Sequence, residues 1–276
     1  MATIGRTGRG RLFFVAAALA AALLPASPAS STTSHCFFNG SSLSVYVNEI
    51  DQAGRLYVDT GDAVKYAAGG VIHDCGATLS QITAGIYVTG STLDDVFTLD
   101  QDGPGGPYPA SIPIEVNLGD GGDLFEIRGT PGRDRVYFFH AVNAAVEEVV
   151  DRDGDLNFDI VLWQVERARA EGRGGRDVLG ATTGTSGWAG DGEIKPARIP
   201  LRLVGGSAND RLFGGTRRDR LAGGAGRDTE VGAAGVDRLL GGAGDDDLDG
   251  GKDRDTCRGG PGTDTATRCE KTAGVP

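Results

Sequence analysis

Large side chains are scarce in this sequence of 276 residues: aromatics make up 7% and there is one Met. Aromatic residues bury roughly 150–250 Å² each and dominate ordinary cores, so the composition does not suit an ordinary enzyme interior. Basic residues are also in the minority, with 27 Lys+Arg against 38 Asp+Glu and a formal charge of −11. That balance argues against nucleic acid, whose phosphates need a basic face, and suits bound cations. The 46 Gly show no three-residue period, which excludes collagen. Catalytic motifs are missing as well. His35, His73 and His140 are followed by Cys, Asp and Ala, so the His-Glu-x-x-His helix of zinc proteases is absent. Gly184-Thr-Ser186-Gly187 lacks the spacing of a nucleophile elbow, and no Gly-rich phosphate loop with Lys occurs. No catalytic residue is assigned.

What is present begins with an export pattern. Residues 1–29 read as a signal peptide: Arg6, Arg9 and Arg11 precede the apolar run Leu12 to Leu24, and Ser27-Pro28-Ala29 offers small residues for cleavage. The run falls short of the roughly 20 residues that span a bilayer, and no second stretch approaches that length. Expected is a secreted chain without a membrane span after cleavage near Ala29. Cys36, Cys75, Cys257 and Cys269 remain, an even count that fits disulfides in an oxidising compartment. Three pairings are open. Joining Cys36 to Cys75 and Cys257 to Cys269 keeps each bridge at one end of the chain, and no Cys-x-x-Cys favours a metal site instead.

Internal repetition dominates residues 205–267. The chain divides there into seven nonapeptides without an insertion: GGSANDRLF, GGTRRDRLA, GGAGRDTEV, GAAGVDRLL, GGAGDDDLD, GGKDRDTCR and GGPGTDTAT. Position one is always Gly, and position two is Gly except at Ala233. Position six is always Asp: Asp210, Asp219, Asp228, Asp237, Asp246, Asp255 and Asp264. A Gly pair permits tight turns with positive φ. Asp supplies the hard oxygen that Ca²⁺ prefers among its six to eight ligands. Leu212, Leu221, Leu239 and Leu248 occupy position eight, each a lone apolar residue among polar ones, as in a short strand with one inward side chain.

These segments resemble the RTX (hemolysin-type) calcium-binding repeat, GGxGxDxUx with U a large apolar residue. The resemblance implies a parallel β-roll in which six residues turn, three form a strand, and two repeats make a coil. Residues two repeats apart would then stack. Asp210, Asp228, Asp246 and Asp264 would line one edge and Asp219, Asp237 and Asp255 the other, with Ca²⁺ between neighbours at about five sites. Position four, where Ala208, Arg217 and Asp253 replace Gly, would bind less well if it needs positive φ. Glu230, at an inward position, would need a partner such as a nearby Arg. Cys257 and Cys269 would cap the roll within the tail, residues 268–276. The position-seven Arg211, Arg220 and Arg238 would face solvent as charge balance.

Residues 30–204 alternate short β-type runs with Gly/Asp turns, among them Val96–Leu99, Ile114–Val116, Leu124–Ile127 and Ile160–Trp163. A turn or two of helix is expected over Val165 to Glu171. Two further copies of the motif, GTPGRDRVY with Asp134 and GRGGRDVLG with Asp177, stand out of phase with the array. Asp151, Asp153 and Asp155 form either a solvated turn or an irregular Ca²⁺ loop; Leu156 and Leu162 depart from the EF-hand pattern. The fold class expected is all-β: a parallel β-roll or β-solenoid preceded by a degenerate β-solenoid or a small β-domain. The function expected is secreted Ca²⁺ binding coupled to folding, without enzymatic activity. The alternatives are a lyase- or epimerase-like β-helix enzyme acting on polysaccharide, with the repeats as a tail, and a surface adhesin or matrix protein. Calcium ions are the expected ligands, and an extracellular polysaccharide is the candidate macromolecular partner.

Overall fold

The computed structural model describes residues 6–7, 11–12, 36–47, 53–109, 112–141, 148–151, 160–181 and 194–275. Of the expected signal peptide, only the antiparallel pair Arg6–Thr7 and Arg11–Leu12 falls among them. No described helix is long and apolar enough to cross a membrane.

Beyond that pair, every described strand belongs to one of two sheets, of 13 and 11 strands. The chain alternates between them. Ser42–Tyr46, Gly85–Thr89 and Ile114–Asn117 run parallel in the first sheet. Ala53–Val58, Val96–Asp100, Leu124–Arg128 and Arg167–Gly174 run parallel in the second. The repeat array continues both stacks. Arg211–Phe213, Thr229–Val231, Asp247–Asp249 and Thr265–Thr267 extend the first sheet. Leu201–Ser207, Arg220–Ala225, Arg238–Ala243, Thr256–Arg258 and Lys271–Ala273 extend the second. The fold is thus all-β, a two-sheet parallel solenoid, and the strands before residue 204 occupy the same two sheets as the repeats.

Three features depart from the sequence expectations. Arg167–Gly174 is a strand, not a helical turn, because Ala168 and Ala170 alternate inward with exposed or half-buried neighbours at period two. Two strands of the second sheet within the array, Arg220–Ala225 and Arg238–Ala243, are six residues long rather than three, since the following Gly pair stays in the ladder, with Gly224 opposite Gly242. Antiparallel strands enter the two sheets at four places among the described residues, two of them Cys36–Phe38 beside Ser42–Tyr46 and Ile194–Pro196 beside Arg135–Ala141. Glu148–Asp151 sits between Arg135–Ala141 and Ile160–Trp163, and the meander of Ala53–Val58, Ala63–Ala68 and Val71–Thr78 closes the N-terminal end of the second sheet.

The interior is a set of files running along the axis. One is Leu56, Leu99, Ile127, Ala170, Leu203, Leu221, Leu239 and Cys257, each opposite the next on adjacent parallel strands. Facing it across the array are Leu179, Leu212, Glu230, Leu248 and Ala266. The front coils add Phe97, Phe125 and Phe138, all buried, so the apolar core is thick toward the N-terminus and one side chain wide per strand in the array. Disulfides join Cys36 to Cys75 and Cys257 to Cys269. The first links the edge strands of the two sheets, and the second ties the last coil to the C-terminal segment.

Candidate metal centre

The position-six Asp residues form ladders at the turn-to-strand junctions. The Asp210 N–H donates to Asp228 Oδ1 at 2.8 Å, and the Asp210 carbonyl accepts the Thr229 N–H at 2.9 Å. Asp228 donates likewise to Asp246, and Asp246 to Asp264, each partner 18 residues on. On the other edge, Leu201 donates to Asp219, Asp219 to Asp237, and Asp237 to Asp255, all at 2.8 Å. Asp255 ends that row on Glu270 Oε2 at 2.5 Å. Each Asp therefore spends one carboxylate oxygen on coil-to-coil bonding, and all but the terminal Asp264 spend their own backbone as well.

Asp134 and Asp177 belong to the first row. The Asp134 N–H donates to Asp177 Oδ1 and the Asp177 N–H to Asp210 Oδ1, both at 2.8 Å, across separations of 43 and 33 residues. They are out of phase in sequence because the spans between them are longer than two nonapeptides, one including the antiparallel strand Glu148–Asp151 and the other Ile194–Pro196, not because they leave the ladder. Asp151 ends the strand Glu148–Asp151; Asp153 and Asp155 lie outside the described residues.

The second carboxylate oxygen is left over except at Asp219 and Asp134, whose Oδ2 atoms accept the Gly215 N–H at 2.6 Å and the Thr130 N–H at 2.8 Å. Oδ2 of Asp177, Asp210, Asp228, Asp237, Asp246, Asp255 and Asp264 is buried with no hydrogen-bond partner. Position one explains where it points. A Cβ built on Gly232 would meet Asp237 Oδ2 at 2.8 Å and the Gly250 carbonyl oxygen at 2.5 Å. One on Gly205 would meet the Gly223 carbonyl oxygen at 2.6 Å and run into Asp210 Oδ2. Glycine at this position keeps open a notch lined by an anionic oxygen and a carbonyl oxygen of the next coil. Position four has positive φ in six of the seven repeats: Gly226, Gly235, Gly244 and Gly262 have φ between 130 and 146°, and Ala208 and Asp253 adopt 81 and 76° without Gly, whereas Arg217 does not.

Burial dominates the electrostatics. It pushes the carboxyl pKa up to about 7 at Asp219 and Asp177 and to about 6 at Asp210 and Asp237, and it raises Asp228, Asp246, Asp255 and Asp134. The backbone N–H bonds oppose that shift. At Asp177, Asp210, Asp219, Asp228, Asp237, Asp246 and Asp255 the next acid along adds to it. Glu230 is buried between Leu212 and Leu248, and burial raises it to about 8. Its partner is the Gly223 N–H, at 2.5 Å, rather than an Arg. A side chain inside the coil reaches the turn that begins its own repeat, whereas the position-seven Arg211, Arg220 and Arg238 are exposed.

Do these groups suit a cation? Among the described residues no three His, Cys, Asp or Glu side chains converge on one point. Each gap offers carboxylate oxygens from successive coils together with carbonyl oxygens. That all-oxygen set suits Ca²⁺, which accepts backbone carbonyls readily, and not Zn²⁺, which takes Cys and His. The orphaned Oδ2 atoms supply the negative charge such an ion needs.

Sequence reasoning missed a third ladder in the front half. The Asp95 N–H donates to Asp123 Oδ1 at 2.8 Å, and the Asp123 N–H to Glu166 Oε2 at 2.7 Å. A trace was visible: Gly90, Asp95 and Phe97, like Gly119, Gly121, Asp123 and Phe125, hold the spacing of positions one or two, four, six and eight.

No curated protein and no solved structure matches the chain. Residues 204–229 and 231–266 do match, in four copies, the family model of the RTX calcium-binding nonapeptide repeat. Repeats of that family bind Ca²⁺, and the two Asp rows from Asp210 onward lie within the matched residues: this chain carries an RTX calcium-binding repeat array at residues 204–266.

Proposed function

We propose that this is a secreted, non-enzymatic calcium-binding protein whose repeat array winds into its β-roll on meeting Ca²⁺ outside the cell. The observation that carries this is the run of buried, unpartnered Oδ2 atoms along both Asp rows. Carboxylates about 4.8 Å apart on adjacent strands repel by roughly 1 kcal/mol per pair in water, and by more when desolvated. One inward side chain per strand offsets little of that. A bound divalent cation supplies the missing positive charge, so its binding free energy becomes folding free energy.

Asp210, Asp228, Asp246 and Asp264 would hold ions on one edge and Asp219, Asp237 and Asp255 on the other, about five in all. Asp134 and Asp177 extend the first edge. Extracellular Ca²⁺ modules typically bind at about 0.1–1 mM, which makes the array responsive to calcium outside the cell and unwound where calcium is scarce. An extracellular polysaccharide is the macromolecular partner that fits a secreted roll.

Circular dichroism during Ca²⁺ titration tests the proposal, with Mg²⁺ as control. Ca²⁺ alone should convert coil to β-structure, and Asp228→Ala/Asp237→Ala/Asp246→Ala should abolish most of the change. An array fully wound in EDTA would refute it.

A further inference from the structure

The two outer faces of the array differ in charge. On the second sheet, Arg202 lies opposite Arg220, Arg220 opposite Arg238, Arg238 opposite Thr256, and Thr256 opposite Lys271. All four basic residues are exposed, and none has an ion-pair partner among the described residues. The neighbouring outward file is Val204, Ala222, Leu240 and Arg258. No acidic side chain stands in either file. On the first sheet the corresponding outward positions carry Arg211, Thr229, Asp247 and Thr265, then Phe213, Val231, Asp249 and Thr267.

Like charges directly opposite one another on adjacent strands are destabilising. The same file is treated differently further forward. Arg169, opposite Arg202, pairs with Glu126 at 3.0 Å and also with Glu171. Cross-strand neutralisation is therefore used in the front coils and stops where the array begins. In a chain of net charge −11, acids were available to continue it.

We propose that this file is a docking surface for a linear carboxylated polysaccharide lying along the solenoid axis. Four strand spacings separate Arg202 from Lys271, about 19 Å, with a cation on nearly every strand to meet a carboxylate on each successive sugar. The small, apolar Val204, Ala222 and Leu240 leave a shelf beside the charges for the C–H faces of the sugar rings. Single-stranded nucleic acid is disfavoured because its bases need aromatic platforms; Phe213, on the opposite sheet, is the sole aromatic after residue 200. The surface rests on the polysaccharide-binding, calcium-wound protein proposed above, since the file exists only when the coils are stacked.

Calorimetric titration of the full chain with a hexuronate oligosaccharide at saturating Ca²⁺ tests this, with far-UV circular dichroism confirming that each variant is wound. Arg202→Ala/Arg220→Ala/Arg238→Ala should weaken binding roughly 3- to 100-fold, the range for three exposed ion pairs lost together. Arg211→Ala/Arg227→Ala, off this face, should leave it unchanged. Added salt should weaken the wild-type interaction, and the carboxyl-reduced neutral hexasaccharide should not bind. The proposal is overturned if the wound triple variant binds as wild type does, or if the neutral sugar binds equally. Capture of duplex DNA or anionic vesicles through these arginines, with no hexuronate binding, also overturns it. A chain that stays wound in EDTA and still binds hexuronate through them would sink the calcium coupling and leave the arginine surface standing.

Discussion

Asp177 donates its backbone N–H to Asp210 Oδ1 at 2.8 Å across 33 residues of sequence, the same bond that Asp210 makes to Asp228 across 18. The ladder of the repeats therefore starts upstream of the segment that matches the repeat family. Asp177 is the joint between the front coils and the array.

Asp177→Asn should raise the Ca²⁺ concentration needed to wind the array by roughly tenfold, the scale on which ligand charge count tunes such sites. Equilibrium dialysis should also find fewer ions per chain. Glu126→Gln, on the outer face of the second sheet, should change neither.

Acid should stabilise the calcium-free protein. Burial raises the carboxyl groups of Asp219 and Asp177 to about 7 and those of Asp210 and Asp237 to about 6, while the unfolded chain ionises near 4. Between those values the folded state holds more protons, so stability is largest below about pH 4 and falls as pH rises through 6 to 7. In EDTA, where the array is unwound at pH 8, lowering the pH to 5 should raise its β-structure by circular dichroism. With millimolar Ca²⁺ the trend should reverse, because protons compete with the ion for the same oxygens.

Glu230→Gln isolates one buried acid. The amide keeps an acceptor for the Gly223 N–H and cannot ionise. Burial holds the Glu230 pKa at about 8, so the variant's advantage in urea unfolding should grow by up to about 1.4 kcal/mol per pH unit between pH 5 and 8 and then level off. An advantage independent of pH would show that Glu230 is not buried in the folded protein.

Ala233 holds φ of 74° at a position that is otherwise Gly. Ala233→Gly should therefore stabilise the array by about 1 kcal/mol, since a left-handed backbone costs a side chain about that much. Gly241→Ala should destabilise it by about 1–3 kcal/mol, because the new Cβ meets the Asp246 side chain. Chemical denaturation at fixed Ca²⁺ measures both.

The array was legible because its chemistry repeats at a fixed spacing: Asp210 through Asp264, the Leu file and the Gly pairs all follow from one nine-residue phase. The short strands up to Ile160–Trp163 were visible as apolar runs. What hid was anything set by inserted segments. Asp134 and Asp177 looked out of phase because a coil can take in an extra segment, such as the antiparallel strand Glu148–Asp151, without moving the strand that follows. Arg167–Gly174 looked helical because Ala and Arg favour helices, yet stacking on Leu124–Arg128 overrode that preference. The arginine file was invisible because two of its members, Arg202 and Lys271, lie outside the nonapeptides and meet Arg220 and Arg238 only through strand register.

The interior narrows from Phe97, Phe125 and Phe138 at the front to Ala266 in the rear coil. Unravelling therefore has a direction. Once the Cys257–Cys269 bridge is reduced, the rearmost winding has the least grease to hold it and peels away first, exposing the one before it. A protease working on the calcium-starved protein should leave a ladder of fragments that share an N-terminus and shorten by whole turns, stopping at the phenylalanine-filled front.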